Sequence, residues 1–454
     1  MSKRRLIGFL TLLALLLVPV ISVIAGGAGD QTTTKSGEQV TLQYVFWGDQ
    51  NEVNATKAFA DSYMAKNPNI KITLLHIPQS NTYMDKINTL AASHNLPDLG
   101  YFQETNVLQW GMNDQFVDLT DFYKNQPAKL NVLKFITPDG KIVGISVANE
   151  VQVIWYNKKM FDAAGLPYPP SDPKQAWSWD KFVEVAKKLT KDVNGKTPND
   201  AGFDPANIKS FGTWIQQWYM PWVTFAIANG GGLVSQDGKQ LLMDNPGTID
   251  AIQKMADLIN VHHVSPTPGT QQMPTAAATA LLSQQVAMVI DGTWDLLTIG
   301  LTKEQSDLNF GVGVLPKMQS LATTSVGTPI VVFKSSKHIK EAEDFLKYIM
   351  DPTNALPLMQ SGLWLPNELQ WYKDPSFISK WVDNPRHPAE YKAAVVDFAR
   401  DYAKQLPVYY IPQFQKMDDV IEPALNQVWL GQKSAKDVIV NEIMPKIKPI
   451  FEGK

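Results

Sequence analysis

Strand-like and helix-like patterns alternate near the start of the chain, and this alternation constrains the fold more than any other feature. Residues 41–47 alternate apolar and polar side chains, whereas 51–66 repeat apolar residues at helical spacing until Asn67-Pro68. Another strand, helix and strand follow at 70–75, 83–94 and 99–102. A β-α-β-α-β series predicts an α/β fold with a mainly parallel sheet flanked by helices. Ligands bind such sheets at the carboxyl ends of the strands.

The rest of the chain continues this mixture of elements. Extended runs lie on both sides of Asn149-Glu150, and further elements are predicted as helices at 179–189, 249–259 and 341–350 and strands at 286–290, 310–316 and 330–333. Roughly 425 residues follow residue 28, more than one hydrophobic core usually serves. The sequence therefore predicts two domains.

The N-terminus has the pattern of a secretory signal. Lys3, Arg4 and Arg5 precede an uncharged apolar run over 6–25 and small residues at 26–28. We expect residues 1–28 to be a signal peptide, followed by a linker over 29–40. The run is also long enough to span a bilayer, so an uncleaved N-terminal anchor stays open. Either form predicts secretion across the cytoplasmic membrane, to the periplasm or the cell surface.

Composition argues against several function classes. The chain has no cysteine, so disulfides and a lipoprotein anchor are excluded, and its net charge of −3 without a basic stripe argues against nucleic acid. It has 13 Trp and 14 Tyr but only 6 His, and the adjacent His262-His263 cannot share one helical face as metal ligands. Phosphate-binding Gly-Lys motifs and nucleophile elbows are missing. We therefore expect no metal, cofactor or catalytic residues.

A set of short motifs occurs in the order typical of one family. They are Val153–Lys158, Phe161–Leu166 with Pro169-Pro170, Ser178–Phe182, Asn229–Gly232, Val286–Trp294 and Gly311–Pro316 with Ser335–Lys337. Together they resemble the extracellular solute-binding proteins of bacterial ABC importers, above all the sugar-binding family 1 that includes maltose-binding proteins. The resemblance covers about residues 40 to 370. An insertion at Asp172–Trp177 and the missing lipoprotein cysteine depart from the pattern.

The resemblance implies a two-lobed periplasmic-binding-protein fold, with each lobe a mainly parallel sheet flanked by helices and hinge segments between the lobes. It places 41–149 and 315–351 in lobe one, and 150–314 and 352–454 in lobe two. The implied function is a monomeric receptor, not an enzyme, that closes its cleft on a sugar or oligosaccharide. Its partners would be the permease subunits of an ABC importer. A glycosidase with Glu104 and Glu150 as paired carboxylates is the alternative, and a surface adhesin would show β-rich repeats that are missing.

A sugar cleft needs flat aromatic rings for C–H faces and carboxylate or amide groups for hydroxyl pairs. The loops after the first and third strands offer Trp47, Asp49, Gln50, Glu104 and Asn106. Asp49 has an equally good role as a helix cap, and a loop carboxylate such as Glu104 is often only solvated. These five residues are our candidates from strand position.

The resemblance adds four candidates, namely Glu150, Trp218, Trp294 and Trp364. Each tryptophan has a core role as its alternative, and Trp214, Trp218 and Trp222 stand at i, i+4, i+8 spacing, which predicts one helical stripe. For Trp294 we expect a turn at Asp291-Gly292 that frees the ring from the core.

Overall fold

The computed structural model describes residues 39–78, 82–127, 133–269, 276–305 and 309–453. The predicted signal or anchor at 1–28 and almost all of the linker at 29–40 lie outside these residues. Within them, no helix is both long enough and apolar enough to cross a membrane.

The strands of the described residues confirm most of the predicted extended segments. They are β1 (Val40–Phe46), β2 (Ile70–His76), β3 (Leu99–Tyr101), β4 (Lys134–Ile136), β5 (Ile142–Ser146), β6 (Glu150–Asn157), β7 (Lys191–Asp192), β8 (Ile208–Ile215), β9 (Val286–Gly292), β10 (Phe310–Gly313), β11 (Thr323–Val326), β12 (Pro329–Val332) and β13 (Ala403–Gln405).

The helices cover both sheets. They are α1 (Gln50–Lys66), α2 (Tyr83–Ala92), α3 (Glu104–Met112), α4 (Thr120–Lys124), α5 (Lys158–Ala164), α6 (Trp179–Leu189), α7 (Tyr219–Ala228), α8 (Pro246–Asn260), α9 (Ala277–Leu282), α10 (Leu296–Gln305), α11 (Ile339–Met350), α12 (Leu356–Gln360), α13 (Gln370–Lys373), α14 (Pro375–Val382), α15 (Phe398–Tyr402), α16 (Phe414–Trp429), α17 (Ala435–Val438) and α18 (Met444–Phe451). Single 3-10 turns lie at Pro173–Gln175, Thr293–Asp295 and Pro407–Tyr409, and π-helical turns at Lys392–Asp397 and Ile439–Ile443.

The strands form two mixed sheets, which corrects the expectation of mainly parallel sheets. The first sheet has the order β2-β1-β3-β12-β5-β4, and only β1 with β2 and β1 with β3 pair in parallel. The second has the order β13-β11-β6-β9-β8-β7 with β10 also on β6, and only β11 with β13 and β8 with β9 are parallel. Helical crossovers make β1, β2 and β3 parallel, whereas β12, which returns from the second sheet, runs antiparallel to both β3 and β5.

The strand order makes the chain pass between the sheets three times, because β12 lies in the first sheet and β13 in the second. The first crossing joins β5 to β6 at 147–149, and the second joins β11 to β12 at 327–328. Beside the first, the Asn149 N–H donates to the Leu365 carbonyl at 3.1 Å, and the Asn367 amide donates to the Val147 carbonyl at 3.1 Å.

The second crossing does not lie near Leu315, where we expected it. Residues Thr323–Val326 pair with β6 and β13 of the second sheet, so the chain returns to the first sheet only at Pro329. Gly327 marks this point, because a Cβ there would lie 2.1 Å from the Ala148 carbonyl oxygen. The other lobe boundaries stay a prediction.

Local sequence chemistry explains why α6 lies against the second sheet. The Ser178 hydroxyl accepts the Lys181 N–H and caps the helix. Phe182, Val185 and Ala186 are buried on the inner face. The backbone of β8 approaches α6 closely at Gly212, where a Cβ would lie 1.9 Å from the Ala186 carbonyl oxygen.

Gly212→Ala should therefore separate α6 from β8 and destabilise the protein. We expect a loss of about 2 kcal/mol or more in urea unfolding, as for overpacked core positions. Lys209→Ala, at an exposed position of the same strand, is the control and should change stability by less than about 0.5 kcal/mol. Equal stability of the two variants would contradict the close approach.

Candidate ligand-binding site

The loop after β1 holds the first three candidates. Trp47 is half-buried and stands edge-on to Tyr83 and Tyr101, with ring centroids 5.1 and 4.9 Å away. Asp49 caps α1 by accepting the N–H groups of Asn51 and Glu52 at 2.8 and 3.0 Å, so its capping alternative is realised. Its other oxygen accepts from the Thr298 hydroxyl of α10 at 3.4 Å.

Gln50 is exposed, and its amide donates to Asn54 one turn along α1 at 3.1 Å. This bond is within the helix and brings Gln50 no closer to the other candidates. A ligand role for Gln50 stays a prediction.

Glu104 and Asn106 reach the helices that belong to the second sheet. Glu104 begins α3 directly after β3, and the Tyr219 hydroxyl of α7 donates to its Oε1 at 2.6 Å. The Asn106 amide donates to Gln415 Oε1 of α16 at 3.1 Å. The carboxyl end of β3 therefore faces α7 and α16 across the boundary between the two sheets.

The expected helical stripe of tryptophans is wrong. Trp214 lies in β8, Trp218 immediately precedes α7, and Trp222 lies inside α7. The chain leaves the strand after Ile215, so helical spacing does not apply across this segment. Trp222 is buried in the core, whereas Trp218 is half-buried. The Trp218 ring stands edge-on to Tyr219, with centroids 5.1 Å apart, and its centroid lies 6.5 Å from that of Trp294.

The expected turn at Asp291-Gly292 is also wrong, because β9 continues through Gly292 in extended conformation. Trp294 lies in the following 3-10 turn and is half-buried. Its indole folds back over Gly292, where a Cβ would lie 2.2 Å from the ring. Glycine is needed here for the close approach of the ring, not for a turn.

Trp364 differs from the other tryptophan candidates because it is only 2% exposed. Its ring lies 6.5 Å from Phe59 of α1. Its indole Nε1 is buried and has no hydrogen-bond partner within the described ranges. The residue occupies a core position here, and its ligand role stays a prediction.

Glu150 is the most unusual of the polar candidates. It is the first residue of β6 and only 6% exposed, and no hydrogen bond to its carboxyl group is found in the part of the chain that the structure describes. Burial raises its pKa well above the usual range, and the nearby charges of Glu52 and Glu104 raise it further. Burial therefore favours the protonated form of this carboxyl group.

Two other glutamates share this environment. Burial and the charge of Asp49 raise the pKa of Glu52 to about 8, although a hydrogen bond from Tyr101 opposes the shift. Burial also raises the pKa of Glu104, against the hydrogen bond from Tyr219. Sequence reasoning missed Glu52, and only its spacing of three residues after Asp49, a capping-box pattern, singles it out.

Two aspartates, Asp291 and Asp295, lie on either side of Trp294 in the chain. Sequence reasoning did not identify them as candidates. The Gln216 amide donates to Asp291 Oδ2 at 2.6 Å, and burial raises the pKa of Asp291 to about 7. Burial and the charge of Asp291 raise the pKa of Asp295 well above its usual value. Nothing in the local pattern predicts this, because both side chains look like ordinary residues of a strand end.

Ring contacts, hydrogen bonds and electrostatic interactions connect these residues across the two sheets. Trp47 contacts Tyr101, Tyr101 bonds to Glu52, and Glu52 lies in the field of Glu150. On the other side, Glu104 bonds to Tyr219, Tyr219 contacts Trp218, and Trp218 faces Trp294. Within the second sheet, the Val151 N–H donates to the Thr293 hydroxyl at 3.4 Å and so links the residue after Glu150 to the residue before Trp294. Aromatic faces and buried carboxyl groups thus lie together, as binding of a polar molecule with apolar faces requires.

Among the described residues, no group of three or more His, Asp or Glu side chains is arranged to hold a metal ion.

Comparison with known proteins identifies the family. The family of bacterial extracellular solute-binding proteins matches residues 58–386, and the chain belongs to it. This confirms the predicted resemblance and the predicted two-lobed α/β fold.

Two relatives and one solved structure illustrate the range of ligands named for similar proteins. The arabinooligosaccharide-binding protein of Bacillus subtilis is 23% identical over 98% of this chain and 100% of its own length. The sn-glycerol-3-phosphate-binding periplasmic protein of Brucella abortus is 23% identical over 71% of this chain and 70% of its own. The ABC substrate-binding protein of Listeria monocytogenes in complex with cycloalternan superposes with a TM-score of 0.76 at 21% identity, covering 91% of this chain and 99% of the other.

The raised pKa of Glu52 predicts a pH-dependent stability. The protonated carboxyl stabilises the fold fully below its unfolded pKa, and this contribution is lost as the pH rises to about 8. Glu52→Gln, which stays neutral, should match the unaltered protein at pH about 5. In urea unfolding at pH about 9 it should exceed the unaltered protein by on the order of 2 kcal/mol.

Glu184→Gln is the control, because the pKa of Glu184 is shifted in the opposite direction from that of Glu52. Hydrogen bonds from Lys188 and Lys181 lower the pKa of this exposed carboxyl, so its contribution exists above the unfolded pKa and is lost as the pH falls. This variant should show no gain at high pH. A flat difference between Glu52→Gln and the unaltered protein across the pH range would contradict the burial of Glu52.

Proposed function

We propose that this protein is a receptor that binds a sugar or oligosaccharide between its two sheets and delivers it to an ABC importer. The observation that carries the proposal is the meeting of Trp218 and Trp294 with Glu104 and Glu150 across the sheet boundary. Rings of this kind stack on the apolar faces of sugars, and carboxyl groups bond to pairs of hydroxyls. The name of the Bacillus subtilis relative supports the same ligand class.

The acidic groups of the site argue against an anionic ligand such as the one named for the Brucella abortus relative. A phosphate ester beside Glu52, Glu104 and Glu150 would gain no opposite charge from these groups and would oppose their ionisation. A neutral hydroxyl compound can hydrogen-bond to these carboxyl groups in either protonation state. A carbohydrate without phosphate therefore fits the site better.

Delivery of a ligand requires an open state that admits it and a closed state that holds it. We propose that the lobes close about the segments at 147–149 and 327–328, with 365–367 alongside, because these segments lie together where the chain passes between the sheets. A ligand that contacts Glu104 and Trp218 together favours the closed state by its differential affinity. The monomeric protein, exported by its N-terminal leader, would then meet the permease subunits in this closed form.

Catalysis is not part of the proposal. A glycosidase that uses Glu104 and Glu150 needs one ionised and one protonated carboxyl group. Burial instead raises the pKa of both, so the two carboxyl groups are not shifted in the opposite directions that this mechanism uses. We expect no product when a bound oligosaccharide is incubated with the protein and analysed by mass spectrometry.

The experiment is a thermal-shift screen of the purified protein against neutral oligosaccharides, followed by calorimetric titration of each hit. Trp218→Ala and Trp294→Ala should each weaken binding at least about tenfold, or ~1.4 kcal/mol, because a stacking surface is lost. Tryptophan emission should change on binding, and the radius of gyration in solution scattering should fall as the cleft closes.

Trp177→Ala is the matched control, since Trp177 is also half-buried but is not among the residues that join the rings and carboxyls. It should bind the hit as the unaltered protein does. If no oligosaccharide stabilises the protein, or if Trp294→Ala binds normally but loses stability, the proposed site is wrong.

A further inference from the structure

Two residues beside Trp294 bury polar atoms that have no hydrogen-bond partner in the part of the chain that the structure describes. Gln152 of β6 is completely buried, and both its amide nitrogen and its amide oxygen lack a partner there. Asp295 is 8% exposed, and its Oδ2 is buried in the same way. Folded proteins pair nearly all of their buried polar atoms, so unpaired ones require an explanation.

The pairing of β6 with β9 brings Gln152 next to the Trp294 ring. Gln152 lies directly opposite Gly292 in this antiparallel pair. A Cβ on Gly292 would lie 2.2 Å from the indole, so the ring fills the space that a side chain at this position would occupy. The Cβ positions of directly opposite residues are about 5 Å apart on one face of a sheet. The side chain of Gln152 therefore starts within roughly 7 Å of the indole.

The turn that carries Trp294 also holds Asp295 against β6. Asp295 ends the 3-10 turn at Thr293–Asp295, and the Val151 N–H donates to the Thr293 hydroxyl at 3.4 Å. Glu150 and Gln152 are two residues apart in β6, so both project from the face on which the indole lies. One face of the second sheet thus combines the ring with two polar side chains, and Asp295 lies in the turn at its end.

The amide of Gln152 is not needed to satisfy its own backbone. The Gln152 N–H donates to the Thr323 hydroxyl at 3.1 Å, and the Gln152 carbonyl accepts from the same hydroxyl at 3.0 Å. The side-chain amide offers an acceptor and two N–H donors, which match hydroxyl groups that each donate and accept. An unpaired amide lowers the stability of the free protein, a cost that binding sites commonly carry.

We propose that Gln152 and Asp295 form an inner subsite that bonds a pair of sugar hydroxyls, and that the Trp294 indole covers this subsite in the free protein. The subsite belongs to the proposed carbohydrate site and rests on the proposed function. Trp294 is half-buried whereas Gln152 is completely buried, so the ring must move aside before a sugar reaches the amide. The ring then stacks on the sugar whose hydroxyls the amide bonds.

The test compares affinity with stability in Gln152→Met, which keeps the length of the side chain and removes the amide. The probe is the neutral oligosaccharide that gives the largest thermal shift in a screen that includes maltotriose and arabinotriose. Calorimetric titration should show binding at least about tenfold weaker, because hydrogen bonds to the sugar are lost. The melting temperature of the free protein should rise by about 2 °C, because no unpaired amide is buried any longer.

Thr213→Val is the matched control. Thr213 of β8 is also completely buried, and its hydroxyl has no partner within the described ranges. It lies level with Met288, and so about 13 Å along β9 from Gly292. This variant should keep or raise the melting temperature and should bind the probe within about twofold of the unaltered protein.

Two substitutions of similar size test Asp295. Asp295→Asn keeps a hydrogen-bonding group and should bind the probe within about threefold of the unaltered protein. Asp295→Leu removes that group and should weaken binding at least about tenfold. Unaltered binding by Asp295→Leu would overturn the subsite.

The outcomes separate the subsite from the proposed function. Weaker binding by Gln152→Met without a loss of stability supports the subsite. Unchanged affinity overturns it, and so does a lower melting temperature together with weaker binding, since the amide would then serve the fold. An equal loss of affinity in Thr213→Val also overturns it. Each of these results leaves the carbohydrate receptor standing, whereas both proposals fail if no oligosaccharide binds the unaltered protein.

Discussion

The hydrogen bonding of β6 with its neighbours is the interaction on which the rest of the structure depends. All eight residues of Glu150–Asn157 are buried, and the strand pairs with β9, β10 and β11. It begins immediately after the chain crosses from the first sheet, so its first residue lies at the boundary between the sheets. The register against β9 places Gln152 opposite Gly292, the glycine over which the indole of Trp294 packs. One strand thereby carries the carboxyl group of Glu150 and pairs with the strand that ends just before Trp294.

The candidate site lowers the stability of the free protein. Buried carboxyl groups that lie near one another are costly to ionise, and Glu150 also loses most of its hydration. Stability is supplied elsewhere, by the apolar residues of both sheets and by helices such as α6. Sites that bind ligands commonly violate the rules of packing and polar satisfaction that the remainder of the fold obeys.

Much of the fold follows from local patterns. The predicted α6 agrees with the observed Trp179–Leu189, and β1, β2 and β9 lie within two residues of their predicted bounds. Local patterns failed where a decision depended on a distant partner. The spacing of Trp214, Trp218 and Trp222 is helical in sequence, but Trp214 pairs with Val289 in a strand. Gly292 looked like a turn residue, although its role is to accommodate the indole of Trp294.

The sequence by itself determined the family, the two-domain α/β character and the tendency of aromatic and acidic residues to follow strands, because composition, periodicity and ordered motifs are local properties. Only the tertiary structure decided which of those residues meet. Asp49 became a helix cap and Trp364 a core residue, whereas Glu52 and Tyr219 joined Glu150 and Trp218 at the sheet boundary. The physical reason is that burial and mutual charge depend on which segments of a folded chain come together, and neither can be read from spacing along it.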